Sequence, residues 1–238
     1  MSRHIVEAFE TELERLRSCV VKMGDLAASQ ISDALEAVAR GDEELAARTI
    51  ERDRELDQLE RRIAEDALTM LALRQPMAGD LRAIVSAIKI PADLERIGDL
   101  AKGIAKCAAA LRRSMLGSPA VPSLTAMGQR VLVQLKRVTQ AYQDQDAVAA
   151  EEIWRRDEQI DNSYSGIFRE LLTYMMEDPR TIGSCAQLMF LAKNLERMGD
   201  HCTHIAEQIH FVVNGERFDG NRPKGTDPSS IAVPNGGD

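Results

Sequence analysis

Aromatic residues make up only 4% of the 238-residue chain, and alternating runs of β-branched and aromatic residues, the mark of half-buried strands, are missing as well. Ala, Leu, Glu and Arg fill long periodic stretches instead, which is an all-α composition. The four cysteines, Cys19, Cys107, Cys185 and Cys202, are scattered and form no C-x-x-C pair. A disulfide framework and a thiolate zinc site are therefore disfavoured, and buried reduced thiols are expected. A basic excess is lacking too: 30 Lys and Arg against 38 Asp and Glu give a net charge of −8. This argues against nucleic acid or a bare anionic membrane as the main partner and favours cations or basic protein surfaces. No run approaches about 18 uncharged apolar residues. The N-terminus, MSRHIVEAFETELERL, meets acidic residues at once and has no signal-peptide core, so a soluble cytoplasmic protein is expected.

What the chain does have is a phrase that occurs twice. Leu94 to Asp99 reads LERIGD and Leu195 to Asp200 reads LERMGD, 101 positions apart. The flanking apolar residues repeat at the same offset: Ala87, Ile90, Leu94, Ile97, Ala101 and Ile104 answer to Leu188, Leu191, Leu195, Met198, Cys202 and Ile205. Alternating steps of three and four put each set on one stripe of a long helix. Glu95 and Asp99 thus project from one helix face, as do Glu196 and Asp200.

The element pattern repeats with the phrase. A first helix is expected from about Ile5 to Arg40, ended by Gly41 and Asp42, and a second from Asp42 past Met70 to a turn at Pro76 and Gly79. A third carries LERIGD to about Arg113, with a local kink at Pro91. After an uncharged linker at 114–123 come helices over about Leu124–Tyr142, through Trp154, Ile160 and Leu171, and beyond Asp178-Pro179 to about Val213. The fold expected is two tandem antiparallel three-helix bundles related by internal duplication, 1–113 and 124–213, with a flexible tail at 214–238.

The second helix of each half also carries an acidic pair: Asp53 and Asp57 match Asp157 and Asp161 at an offset of 104. In a hairpin turning near residues 75 and 76, Asp53 and Asp57 come level with Asp99 and Glu95; turning near 178 and 179 matches Asp157 with Asp200 and Asp161 with Glu196. Like charges about 6 Å apart cost on the order of 2–3 kcal/mol at an effective dielectric near 20. Four gathered carboxylates therefore favour a bound cation, protonation or an arginine partner, and oxygen-only ligands suit Mg, Mn or Fe, with zinc also possible. Arg96 and Arg197 lie too far around the helix to serve well. A first turn near residue 41 sets Asp25 opposite Asp57, which makes Asp25 a weaker further ligand and Gln129 its weaker counterpart. Gly24, Gly128, Gly98 and Gly199 would permit close helix approach. His204 shares a face with Asp200 and, with His201, invites a zinc reading, but the equivalents in the first half are Leu100 and Gly103.

The doubled LERIGD/LERMGD phrase with the upstream Asp-x-x-x-Asp pairs resembles the PhoU family over nearly the whole chain to about residue 216. The resemblance implies two related three-helix bundles, often dimeric, with metal ions (Mg, Mn, Fe or Zn) on the motif carboxylates: here Asp53, Asp57, Glu95, Asp99, Asp157, Asp161, Glu196 and Asp200. It also implies a non-enzymatic, negative regulator of the phosphate-starvation response. Such a regulator links the phosphate ABC transporter ATPase to a sensor histidine kinase and reaches the membrane only through these partners. Two other readings use the same residues. One is a dimetal enzyme of ferritin-like type, disfavoured because neither Glu95 nor Glu196 has a histidine three residues on. The other is a metal-free helical scaffold whose acidic faces receive basic partners.

Overall fold

The first hairpin turns where glycine permits it: Gly41 takes a φ of 65°, and Asp42 then caps the next helix by accepting the Leu45 N–H at 2.9 Å. The computed structural model describes residues 2–110, 120–220, 222 and 225. In chain order the described helices are α1 (Ser2–Arg40), α2 (Glu43–Arg74), α3 (Ala78–Ala110), α4 (Ala120–Asp144), α5 (Ala147–Arg156), α6 (Glu158–Glu177) and α7 (Ile182–Asn214), with a 3₁₀ turn at Pro179–Thr181. The second half repeats the first turn: Asp146 caps α5 by accepting the N–H groups of Val148 and Ala149, after Gln145 at a φ of 52°. All described regular structure is helical, and no described helix is long and apolar enough to cross a membrane.

Two boundaries differ from the sequence reading. Residues 120–123, expected in the linker, begin α4; Pro122 is tolerated because the first turn of a helix has no use for its N–H. Residues 111–119, which hold the rest of the linker and the end expected for the third helix, lie outside the described residues. The helix through Trp154 and Leu171 divides into α5 and α6 at Asp157, where the Ile160 N–H bonds the Asp157 carbonyl at 2.9 Å in a tightened turn. By contrast α3 runs unbroken through Pro91.

α1, α2 and α3 form one bundle and α4, α5–α6 and α7 the other; the bundles meet through α1 against α4 and α3 against α7. The buried core is continuous across both, from Met23, Ile31 and Leu56 in the first half to Met127, Leu135 and Leu195 in the second. A Cβ added at Gly24 would lie 2.5 Å from Thr139 Oγ1 on α4, and one at Gly128 would lie 2.5 Å from Leu35 Cδ2 on α1. Leu35 and Thr139 are themselves repeat equivalents, so this is one contact made twice, as a two-fold relation between the bundles requires. The glycines foreseen as close-approach points do act so, but Gly24 and Gly128 join the bundles, whereas Gly98 and Gly199 pack within them against Leu56 and Ile160.

Because Thr139 is short and stiff, Gly24→Ala forces α1 and α4 apart and is expected to destabilise by about 1–3 kcal/mol. Gly166→Ala in α6, where an added Cβ meets nothing within 4 Å, should instead stabilise by about 0.5–1 kcal/mol. Thermal melts of the two variants should shift in opposite directions.

Candidate metal centres

In each half the two acidic pairs converge between the second and third helices of the bundle. Asp53 on α2 is 3% exposed, while Asp57 on α2 and Glu95 and Asp99 on α3 are partly buried around it. Lys102, one turn beyond Asp99, donates its ammonium to Asp53 Oδ2 at 2.5 Å and to Asp99 Oδ1 at 3.2 Å. The Glu95 carboxyl is pushed above its ordinary range, first by burial and then by the charge of Asp99, with Glu60 and Asp57 adding to it and Arg96 opposing. Arg96 is a loose partner, 3.5 Å from Glu95 and 3.8 Å from Asp99 on an exposed side chain.

The second half holds the same four carboxylates with different counter-charges. Asp157, at the α5–α6 junction, is 1% exposed; it accepts the Thr203 hydroxyl at 2.9 Å and the Arg222 guanidinium. Arg222 also donates to Asp200 Oδ1 at 2.6 Å, the Gly225 N–H donates to Asp161 at 2.9 Å, and Lys193 donates to Glu196 at 2.8 Å. Burial pushes both Glu196 and Asp161 upward. The charges of Asp200 and Asp161 add to the effect at Glu196, and those of Asp157 and Asp200 at Asp161; Lys193 opposes at the first, the Gly225 N–H and Arg222 at the second.

The eight motif acids thus lie as two neighbouring groups of four, though no three of them bring carboxylate oxygens within 4.8 Å of one another; Gly98 beside Asp53 agrees with the hairpin estimate in the first half, whereas Thr203 facing Asp157 lies about three residues beyond it in the second. Lys102 and its repeat equivalent Thr203 both hydrogen-bond the buried aspartates, Asp53 and Asp157. The first hairpin is shifted in the same sense: Arg52 pairs with Asp33 and Arg74 with Glu12, which carries Asp25 past the level of Asp57. Asp25 is exposed and makes no hydrogen bond or ion pair to the cluster among the described residues, and Gln129 is exposed on α4. His204 turns away from Asp200 toward Asp93.

The residue that α1 does bring to the first centre is Gln30, 1% exposed, with neither amide atom hydrogen-bonded. A Cβ on Gly98 would lie 3.0 Å from Gln30 Oε1 and 3.5 Å from Asp53 Oδ1, so the amide and the carboxylate converge on one glycine. Gln134, on α4, is its equivalent and also has a buried, unpartnered Nε2. The offset of 104 that relates Asp53 to Asp157 relates these two glutamines, a signal available in the sequence. Lys102 had no such signal, because its counterpart is a threonine. Arg222 lies in the stretch expected to be flexible, yet Phe218 of that stretch stacks on Trp154 at 4.9 Å and lies 4.0 Å from the His210 ring.

The donor chemistry, though not the present spacing, suits a hard or borderline cation. Every motif ligand is a carboxylate oxygen, three of the acids are held above their ordinary range, and in each centre a cationic side chain already sits between a buried and a partly buried carboxylate. Asp53, Asp57, Glu95 and Asp99 would hold one group of ions and Asp157, Asp161, Glu196 and Asp200 the other.

A family model described as the PhoU domain matches the chain twice, over residues 20–108 and 124–209. The chain belongs to the PhoU family. Each matched stretch contains one complete set of four motif acids, and Arg222 lies beyond both. Among curated PhoU proteins, the phosphate-specific transport system accessory protein PhoU homolog of Caulobacter vibrioides is 48% identical over 94% of this chain and 97% of its own. The PhoU of Escherichia coli is 40% identical over 92% and 90%. The crystal structure of PhoU from Pseudomonas aeruginosa superposes with a TM-score of 0.82 at 36% identity, covering 87% of this chain and all of that one.

Removing Lys102 leaves the buried Asp53 charge without a counter-ion. Lys102→Met is expected to cost about 3 kcal/mol, the low end of the range for breaking a buried pair because Lys102 is itself partly exposed. A lowered urea midpoint at unchanged m-value would register it.

Proposed function

We propose that this protein is a regulatory accessory of phosphate transport: a cytoplasmic, metal-binding adaptor, working as a homodimer, that restrains the phosphate-starvation response. In this reading it links the ATPase of the phosphate ABC transporter to a sensor histidine kinase and performs no catalysis of its own. The phosphate role rests on relatives named as phosphate-specific transport system accessory proteins across nearly their whole length. The metal role rests on one observation, the duplicated four-carboxylate centres that each enclose a protein cation. Metal ions there would supply fixed positive charge that ties two helices of a bundle together.

Deleting the gene should switch on phosphate-regulated expression in phosphate-rich medium; unchanged expression overturns the regulatory reading. For the metal, a saturating ion at about 100 times its dissociation constant adds about 2.7 kcal/mol. For a chain of this size that raises the melting temperature by about 5–10 °C. Substituting Glu95→Gln, Asp99→Asn, Glu196→Gln and Asp200→Asn together should abolish the shift with Mg, Mn or Fe, and a shift that survives would remove these residues as ligands.

Arg222 occupies the second centre in competition with any ion. Since the single tryptophan, Trp154, stacks on Phe218 four residues before it, a cation that displaces Arg222 should change Trp154 emission. Arg222→Ala should tighten metal binding at that centre about tenfold or more, read by titration of the tryptophan signal and by calorimetry.

A further inference from the structure

A second kind of ligand set lies away from the acidic centres, in the seam where α3 packs against α7. Asp93 on α3 faces His201 and His204 on α7. Its Oδ1 is 2.8 Å from His201 Nδ1 and 3.6 Å from His204 Nδ1, and one donor atom from each residue lies within 4.8 Å of the others. Ligand atoms bound at about 2.0–2.2 Å to one tetrahedral ion stand about 3.3–3.6 Å apart. The three side chains are therefore near that spacing already. Asp93 and His201 are each less than a fifth exposed, whereas the His204 side chain is half exposed and leaves one side of the set open to water. Among the described residues no lysine or arginine pairs with Asp93, in contrast to Asp53 and Asp157.

The duplication provides an internal control. The repeat equivalents of Asp93, His201 and His204 are Asn194, Leu100 and Gly103, and they occupy the mirror position in the same α3–α7 seam: a Cβ added to Gly103 would lie 3.0 Å from Asn194 Nδ2. Helix packing at this seam thus succeeds with an amide, a leucine and a glycine. Three metal-ligand side chains in the other copy are not needed to hold the helices together, and a structural hydrogen bond would account for only one histidine.

From this geometry we infer that Asp93, His201 and His204 form a transition-metal site of the two-histidine, one-carboxylate type, selective for zinc-class ions. The donor set defines the class: imidazole nitrogens favour Zn, Co, Ni and Fe(II), whereas Mg and Ca prefer oxygen alone. A divalent ion bridging α3 and α7 would clamp the two bundles where a helix of each contributes ligands. The site does not depend on metal in the acidic centres.

Cobalt(II) is the probe of choice, since a nitrogen-containing, four-coordinate site gives visible d–d absorption that an all-oxygen six-coordinate site gives only weakly. The chelator-treated full-length protein should take up one equivalent of Co(II) with strong visible bands, displaced by one equivalent of Zn(II). His201→Leu with His204→Gly, which copies the sister seam, should abolish the bands, and so should Asp93→Asn alone. Circular dichroism checks that each variant remains folded. The Glu95→Gln, Asp99→Asn, Glu196→Gln and Asp200→Asn variant should keep the bands, which separates this site from the acidic centres. Bands that persist in both seam variants, or their absence from the folded wild-type protein with Co(II) in tenfold excess, would overturn the inference.

Discussion

The buried carboxylates Asp53 and Asp157 are the constraint around which the rest of each half is arranged. A charge taken into a helix bundle is tolerated only with a partner, and each half supplies one differently. On α3 the partner is Lys102, fixed one turn from Asp99 on the same helix and reaching across to Asp53. On α7 that position is Thr203, whose hydroxyl donates a hydrogen bond but carries no charge. The missing positive charge comes from Arg222, and with it the segment after α7 is drawn onto the bundle, Phe218 against Trp154 and Gly225 against Asp161. A single substitution between repeats thus goes with the packing of Phe218, Arg222 and Gly225 beyond α7. The break between α5 and α6 falls at the same residue, Asp157, with no proline to cause it.

The duplication explains why the two halves stay in one body. Gly24 against Thr139 and Gly128 against Leu35 are the same close approach made from each side, so α1 and α4 are held by a contact that the repeat supplies in both directions. The α3–α7 seam is built on the same relation but has diverged, with Asp93, His201 and His204 in one copy and Asn194, Leu100 and Gly103 in the other. Divergence within a pseudo-symmetric pair separates what packing demands from what it merely allows. The small and apolar copy shows the demand.

Much of this was legible in the sequence because a duplication writes its own alignment. The all-helical pattern, the turns at Gly41-Asp42 and Asp178-Pro179, and the eight motif acids all follow from offsets of 101 and 104 and from three-and-four periodicity, though the break that splits one expected helix at Asp157 does not. Vertical register was legible only in part. Estimating height from turn centres assumes ideal straight helices meeting at a point, and an offset of about three residues brings Thr203 rather than Asp200 into hydrogen-bond reach of Asp157. The same kind of error promoted Asp25 and overlooked Gln30, which differ by little more than a turn along α1 but face different neighbours. Arg222 was hidden for another reason: Gly, Pro and polar residues around it form no periodic pattern, and its anchor is a long-range charge that composition does not reveal.

The two acidic centres, alike in their carboxylates, differ in how firmly their internal cations are attached. Lys102 is part of a long helix and can withdraw only by rotating its own side chain, so it stays at high local concentration beside Asp53 whatever else binds. Arg222 lies outside the helices, and the described residues around it are held by the Phe218 ring against Trp154 and His210, the Arg222 guanidinium and the Gly225 N–H. Those contacts share a chain, so losing the ion pair to Asp157 also loosens the stack on Trp154. Were a cation to replace these side chains, exchange at the second centre would be coupled to the described residues after α7, whereas exchange at the first would involve one side chain of α3.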